Sequence, residues 1–125
     1  MSAQTLLSGG DKYYSYSGIV FGDVSVPTTI PMITIVNTGL RDSLIEIQPY
    51  FGRPSGLGVN DALGILIKLD NVEIYNSQGS DYRPPAYNEQ IRLFAPRNSK
   101  VEIISLNTSA NNTQTRGVNL IGYYV

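Results

Sequence analysis

Short apolar stretches separated by turn residues run along the whole chain, and within several of them apolar and polar positions alternate. The clearest case is 43–51, where Ile45 and Ile47 fall on one side and Leu44, Glu46 and Gln48 on the other. Successive side chains of a strand point to opposite faces, so a period of two indicates a strand with one buried face. The pattern therefore predicts a protein built from β-strands.

The same reasoning predicts seven or eight strands and no long amphipathic helix. The predicted strands are 13–21, 28–36, 43–51, 63–75, 91–95, 101–106 and 118–125. The phase slips at Asp70-Asn71, where a bulge or a tight turn would give the same pattern, and we expect Val72 and Ile74 to continue the apolar face beyond it. A second slip falls at Ile103-Ile104. Pro27 and Pro31 confine the second strand to a sheet edge or an irregular geometry, because proline cannot donate to a ladder.

Composition supports an all-β class. Ile, Val and Thr contribute 30 residues, whereas Ala, Glu, Lys and Met together contribute 14. β-branched side chains suit a pleated sheet, and the second group favours helices. Short strands spaced by turns are typical of an antiparallel sandwich or barrel, and we predict a β-sandwich. With 125 residues the chain is long enough for one domain, which we place at 13–125 after a flexible arm at 1–12.

Apolar residues in both phases of a strand suggest that this protein meets other surfaces. In 32–36 both phases are apolar, so that one phase would fill the sandwich and the other would need cover. Charged residues make up 15% of the chain and the net charge is −1, whereas soluble proteins average about a quarter charged. Both features favour a protein that functions as part of an assembly, although a small β domain with an uncharged polar surface would have the same composition.

Charge and residue content also exclude classes of function. The nine basic residues form no cluster, so we expect neither nucleic-acid binding nor a polybasic membrane surface. No apolar stretch is long enough to span a bilayer, and no secretory signal is recognisable, so we expect synthesis in a cytoplasm. The chain has no His and no Cys, which excludes catalysis and zinc sites that need them. We expect no cofactor, no bound metal and no enzymatic activity.

Carboxylates are the remaining source of chemistry. A glycosidase needs two of them close together, and the candidates are Glu46, Glu73, Glu89 and Glu102. The strand phase of Glu46 and Glu102 places these two on a solvated face. Asp61, Asp70 and Asp81 are candidate calcium ligands, yet they lack the regular Asp-x-Asp-x-Asp spacing. We therefore interpret these carboxylates as surface groups.

The polar stretch 77–88 holds the best binding candidates. Tyr82, Arg83 and Tyr87 are large amphipathic groups of the kind that dominate interface energies, and Pro84-Pro85 would stiffen the loop. Arg53, in the glycine-rich loop 52–58, is a further candidate contact. The competing interpretation is a surface loop whose aromatic residues fold back on the sandwich.

The last third of the chain resembles a known family. The segment 93–103 carries a strand and a Pro96-x-x-Ser99 turn, and Asn107 then ends a strand. A final strand containing the pair Gly122-Tyr123 follows a polar loop. This succession is similar to the last strands of jelly-roll head decoration (cement) proteins of tailed bacteriophages.

The resemblance implies a jelly roll that assembles on a capsid, commonly as a trimer, and reinforces it. It implies a structural role at the virion surface, with further copies of the chain and a major capsid protein as partners. It offers no catalytic residue to carry over. The alternative is a receptor- or carbohydrate-binding β-sandwich of a viral spike or fibre, with Tyr82 or Tyr87 stacking on a sugar ring.

Overall fold

The structure, a computed structural model, describes residues 5–18, 20–21, 28–51, 63–79, 90–107 and 115–125. These residues form ten β-strands and no helix. The strands are β1 (Thr5–Gly9), β2 (Lys12–Tyr16), β3 (Val20–Phe21), β4 (Thr28–Ile35), β5 (Ser43–Phe51), β6 (Leu63–Leu69), β7 (Val72–Gly79), β8 (Ile91–Ala95), β9 (Val101–Asn107) and β10 (Thr115–Tyr124).

The strands form two antiparallel sheets that pack face to face as a β-sandwich. The six-stranded sheet has the order β1-β2-β10-β5-β8, and the short β3 also pairs with β10. The four-stranded sheet has the order β4-β9-β6-β7. The all-β class and the sandwich are thus confirmed.

Strand pairing is nested along the chain. With β1 and β3 left aside, β2 pairs with β10, β4 with β9, β5 with β8 and β6 with β7. Successive pairs lie alternately in the six-stranded and the four-stranded sheet. The chain therefore follows the path of one long hairpin wound into two layers.

The core lies between the sheets and consists mainly of Ile and Val side chains. Its buried residues are Tyr13, Met32, Ile33, Ile35, Ile45, Ile47, Ile65, Ile67, Ala95, Val101, Ile103, Val118 and Leu120. Both sheets contribute, which is the expected result when each presents one apolar face. The predicted inward phase of 43–51 is confirmed, because Ile45 and Ile47 are fully buried.

A bulge in β4 corrects the expectation of two apolar faces at 32–36. Pro31 pairs with Ile104 and Ile33 with Ile103, so Met32 is an extra residue in β4. A bulge lets two successive side chains face the same side, and both Met32 and Ile33 are buried. The slip predicted at Ile103-Ile104 in β9 is therefore an irregularity of β4, the strand that pairs with β9. β4 is an edge strand, as Pro27 and Pro31 predicted.

The ambiguity at Asp70-Asn71 resolves as a tight turn between β6 and β7. Asp70 and Asn71 have φ of 50° and 68°, left-handed values that suit a two-residue hairpin turn and that Asn and Asp tolerate best among non-glycine residues. We expected Val72 and Ile74 to continue the apolar face, and this is wrong: they are 62% and 44% exposed. The register shifts at Ile67/Lys68, which makes Ile74 the extra residue of a second irregularity.

The N-terminal region has more strand than the sequence predicts. Thr5–Gly9, part of the arm expected to be flexible, forms β1 and pairs with β2 along its whole length. The strand predicted at 13–21 is divided into β2 and β3 at Ser17 and Gly18, and Gly18 has a φ of 72°. Glycine adopts this left-handed conformation without steric cost, so the chain turns there.

Tyr13 anchors β2 to the centre of the six-stranded sheet. Its cross-strand partner on β10 is Gly122, and a Cβ at that position would overlap the Tyr13 ring. The Tyr13 hydroxyl and Ser43 Oγ form a buried hydrogen bond of 2.8 Å, and the ring centroid lies 5.2 Å from that of Tyr124. Burial is the main reason why the pKa of Tyr13 is raised above 10.0; the proximity of Tyr124 adds to the rise, and the hydrogen bond from Ser43 opposes it.

Candidate functional site

The binding candidates chosen from the sequence are not among the residues that the structure describes. Tyr82, Arg83 and Tyr87 fall in the segment between β7 and β8, and Arg53 falls between β5 and β6. Asp61, Asp81 and Glu89 lie outside the described residues as well. All of these assignments stay predictions.

The carboxylates that are described lie on the surface, apart from one another. Glu46 projects from the outer face of the six-stranded sheet, 3.6 Å from the Arg92 guanidinium, and Glu102 from the outer face of the four-stranded sheet. The sandwich separates them, so these two carboxylates do not form a catalytic pair. Asp70 Oδ1 accepts a hydrogen bond of 2.8 Å from the Lys100 backbone N–H. The described residues contain no metal-binding cluster of acidic side chains and no helix that would span a membrane.

The outer face of the six-stranded sheet carries exposed apolar side chains in register. Tyr123, Leu44 and Phe94 are directly opposite one another across β10, β5 and β8, and we call them the apolar row. Leu44 is 49% exposed and Phe94 50%. Lys12 continues the row on β2, with Nζ 5.4 Å from the centroid of the Tyr123 ring. A large apolar surface in a fixed arrangement is the usual mark of a contact site.

A mixed row separates this apolar surface from the rest of the face. It consists of Tyr14, Ile121, Glu46 and Arg92 across four strands. Glu46 also accepts a hydrogen bond of 3.0 Å from the Gln90 amide. Glu46 and Arg92 thus make this row polar on β5 and β8, whereas Tyr14 and Ile121 keep it apolar on β2 and β10.

Beyond the mixed row lies a groove of about 500 Å³. Its lining residues are Tyr16, Gly18, Gln48, Pro49, Tyr50, Gly117, Val118 and Asn119. A volume of a few hundred Å³ is within the range of small-molecule sites. The groove is therefore the best-formed candidate for a ligand site in the described part of the chain.

Cross-strand register arranges the side chains of this groove. Asn119 on β10 is flanked by Tyr16 on β2 and Gln48 on β5. Tyr50 lies two residues further along β5 and faces Gly117, which offers no side chain, so the row is open there. Tyr16 and Tyr50 are 39% and 47% exposed. Two tyrosine rings and two amides thus surround an open floor.

Hydrogen bonds hold the wall of the groove where β2 leaves the sheet. The Ser17 backbone N–H donates to the Val118 carbonyl at 2.9 Å, and the Val118 N–H donates to Ser17 Oγ at 2.8 Å. Ser17 is buried, and its hydroxyl donates to the Gly18 carbonyl at 2.7 Å. These contacts fix the backbone beside Tyr16, so the position of its ring is largely set before any ligand binds.

Sequence reasoning missed both the apolar row and the groove. Their residues come from strands distant in the chain, and alternation alone does not give the register that aligns them. The available signal was the aromatic content of β2 and of the end of β10. Comparisons with known proteins add no assignment: no model of a known protein family matches the chain, and no curated protein is significantly similar to it.

Proposed function

We propose that this chain is a structural subunit of a virus particle, a capsid decoration protein that self-associates and stabilises the particle surface. The observation that carries the proposal is the apolar row of Tyr123, Leu44 and Phe94, a registered apolar surface on one sheet and in the half-exposed state that a neighbouring subunit would cover. The mechanism is burial of this surface in contacts, without a chemical reaction.

The jelly-roll assignment belongs to this proposal. A jelly roll has eight strands in two sheets joined by Greek-key connections. The nested pairing of β2 with β10, β4 with β9, β5 with β8 and β6 with β7 supports it, since a long hairpin wound into two sheets produces that order. In this proposal β1 and β3 are additions to the eight-stranded framework.

The size of the apolar row agrees with a contact made in many copies. Leu44 and Phe94 are each about half exposed. Burying the exposed half of both residues in an interface would contribute about 2 kcal/mol per subunit to the free energy of association. A stable interface buries about 800 Å² on each partner, so the row would form its centre and more of the same face its rim. We propose a homotrimer, with the major capsid protein as the second partner and the virion surface as the location.

Solution mass tests self-association. We expect light scattering coupled to size exclusion to give a trimer for the unchanged chain and smaller species for Leu44→Glu and Phe94→Glu, because each places a charge in the proposed contact. Val72→Glu is the matched control: Val72 is an exposed apolar strand residue on the four-stranded sheet, and its variant should stay trimeric. A monomer at micromolar concentration for the unchanged chain would contradict self-association.

Capsid binding tests the second partner. The chain should co-sediment with undecorated capsids of the virus that encodes it and raise the temperature at which they release their contents. Leu44→Glu and Phe94→Glu should lower the bound amount more than Val72→Glu does. Failure of the unchanged chain to bind such capsids would overturn the decoration role.

The second candidate function from the sequence is a carbohydrate- or receptor-binding module with Tyr82 or Tyr87 as the sugar contact. Both residues lie outside the described part of the chain, so that assignment stays a prediction. A loss of glycan binding in the double variant Tyr82→Ala, Tyr87→Ala would favour it.

A further inference from the structure

We propose that the groove formed by Tyr16, Gln48, Tyr50, Gly117 and Asn119 binds an uncharged saccharide of one or two pyranose rings. The decoration role does not require such a site. The groove also lies apart from the apolar row, with the mixed row between them. The groove shares the outer face with the proposed contact, so the two proposals are distinguished by their readouts: sugar binding by the amide signals of the groove, and self-association by the solution mass.

The two tyrosines supply the surfaces for the apolar faces of a sugar. As whole residues, Tyr16 is 39% exposed and Tyr50 47%. A tyrosine offers a rigid apolar face and a hydroxyl at its tip, and it loses little conformational entropy on binding. A pyranose ring likewise has an apolar C–H face and a rim of hydroxyls, so the two match in chemistry.

Asn119 supplies hydrogen bonds to the sugar, while Gln48, whose Nε2 donates to the Pro49 carbonyl at 3.4 Å, borders the site. Asn119 lies between Tyr16 and Gln48 in one cross-strand row, and each side-chain amide carries a donor and an acceptor. Adjacent sugar hydroxyls likewise act as donor and acceptor at once. Asn119 is exposed on this face, which leaves its amide accessible to such a ligand.

Charge and dimension select the ligand further. None of the eight lining residues that the structure describes is Asp, Glu, Lys or Arg, so these residues offer no ion pair to repay the desolvation of an ionic ligand. Neighbouring strands lie about 4.8 Å apart and residues about 3.4 Å apart along a strand. The row from Tyr16 to Gln48 therefore spans about 10 Å and the step from Gln48 to Tyr50 about 7 Å, which suits one or two sugar rings.

Gly117 gives these side chains their concave shape. It faces Tyr50 from β10, where any other residue would place a side chain on the outer face. The Tyr50 ring thus has no side chain opposite it on β10, and Gly117 forms a buried part of the groove floor there. A bulky residue at this position should fill the groove.

The experiment is an NMR titration of the full chain with maltose, lactose and N,N′-diacetylchitobiose, with N-acetylneuraminic acid as a charged comparison. We expect at least one neutral sugar to shift the side-chain amide signals of Gln48 and Asn119 with a millimolar Kd. Tyr16→Ala and Tyr50→Ala should each weaken binding by about tenfold, equivalent to about 1.4 kcal/mol. Gly117→Leu should abolish it. Spectral dispersion would verify that each variant is folded.

Phe94→Ala is the matched control, because Phe94 is another half-exposed aromatic residue on the same face but lies in the apolar row. It should leave the Kd for the sugar unchanged. The proposal is overturned if no neutral sugar shifts these signals, if the acid alone does so, or if a proline-rich peptide does so while the sugars do not. It also fails if Phe94→Ala weakens sugar binding as much as Tyr50→Ala does.

Discussion

The two outer faces of the sandwich differ in chemistry although both belong to one small chain. On the six-stranded sheet, Tyr123, Leu44 and Phe94 form an apolar row. The corresponding face of the four-stranded sheet has Lys68 on β6 directly opposite Glu102 on β9 and Glu73 on β7. A net charge of −1 for the whole chain conceals this asymmetry. Composition therefore indicated an assembling protein but not which surface would assemble.

The four-stranded sheet also carries features that oppose association at its edge. Pro31 and the adjacent bulge at Met32 lie in the edge strand β4. Proline and bulges interrupt the regular edge to which another chain would add. The outer face of this sheet is nevertheless not purely polar, because Leu66 and Ile104 are opposite each other across β6 and β9 and Ile74 on β7 is 44% exposed.

The largest expected effect is the loss of stability in Gly122→Ala, a substitution on the core side of the six-stranded sheet. The added methyl would overlap the ring of Tyr13, which is 3% exposed and tied to Ser43. The ring cannot move without losing that hydrogen bond and its packing. We expect a loss of about 3 kcal/mol in the free energy of unfolding, measured by urea denaturation.

Gly10→Ala is the control for Gly122→Ala. Gly10 has a φ of 60° and nothing within 4 Å of the added Cβ, so this variant has conformational strain without overlap and should lose about 1 kcal/mol. Equal losses in the two variants would show that the overlap with Tyr13 is not what matters at Gly122. The comparison also tests whether the outer face of β2 and β10 depends on the contact between Gly122 and the Tyr13 ring. Self-association should weaken in Gly122→Ala but not in Gly10→Ala.

The sequence predicted the strands well where local pattern decides and poorly where pairing decides. Ser43–Phe51 and Ile91–Ala95 match their predicted bounds, since alternation and flanking turn residues specify both. The irregularity at Met32 was predicted at the wrong position, Ile103-Ile104, because it arises from the pairing of β4 with β9. The exposure of Val72 likewise follows from the turn at Asp70-Asn71, which alternation could not distinguish from a bulge.

The second-largest expected effect is the loss of stability when the hydrogen bond between Tyr13 and Ser43 is removed. Tyr13→Phe leaves Ser43 Oγ buried without this partner, and we expect a loss of about 1.5 kcal/mol at neutral pH. The loss should depend on pH. Burial raises the pKa of Tyr13 above its usual 10.0 in the folded chain, so above that pH the unfolded chain loses this proton first.

The sign of the pH effect follows from that order. Where the folded state binds more protons than the unfolded state, stability falls as pH rises. The advantage of the unchanged chain over Tyr13→Phe should be complete below pH 10.0 and shrink above it. Urea denaturation of both proteins across this range would measure it, and the remaining tyrosines cancel in the difference. An advantage that grows with pH would contradict the raised pKa.

The candidate site was less predictable than the fold. The groove joins Tyr16, Gln48 and Asn119 from β2, β5 and β10, and nothing local in the sequence marks these residues as neighbours. Leu44 alternates with Ile45 and so was placed on the polar side with Glu46. It does lie there, but the register brings Phe94 and Tyr123 beside it and converts that part of the face to an apolar surface.

The smallest expected effect tests the solvated character of the four-stranded face. Lys68 lies between Glu102 and Glu73 in the cross-strand row, so Lys68→Gln removes the cation that separates two carboxylates. Opposite-charge pairs on a sheet contribute about 0.5 kcal/mol each, and we expect a loss of that order at low salt. The loss should shrink at about 1 M salt, because the Debye screening length there is only about 3 Å.

Lys12→Gln on the other face is the matched control for Lys68→Gln. Lys12 continues the apolar row, and its ammonium lies over the Tyr123 ring at 5.4 Å. A cation over an aromatic face contributes about 0.5 kcal/mol at an exposed site, so the two variants should lose similar stability at low salt. Because Lys68 lies opposite two carboxylates in the register and Lys12 lies over a ring, the loss in Lys68→Gln should fall more with added salt. An equal salt dependence in the two variants would mean that the faces do not differ electrostatically, and the contrast between them would then rest on the apolar row alone.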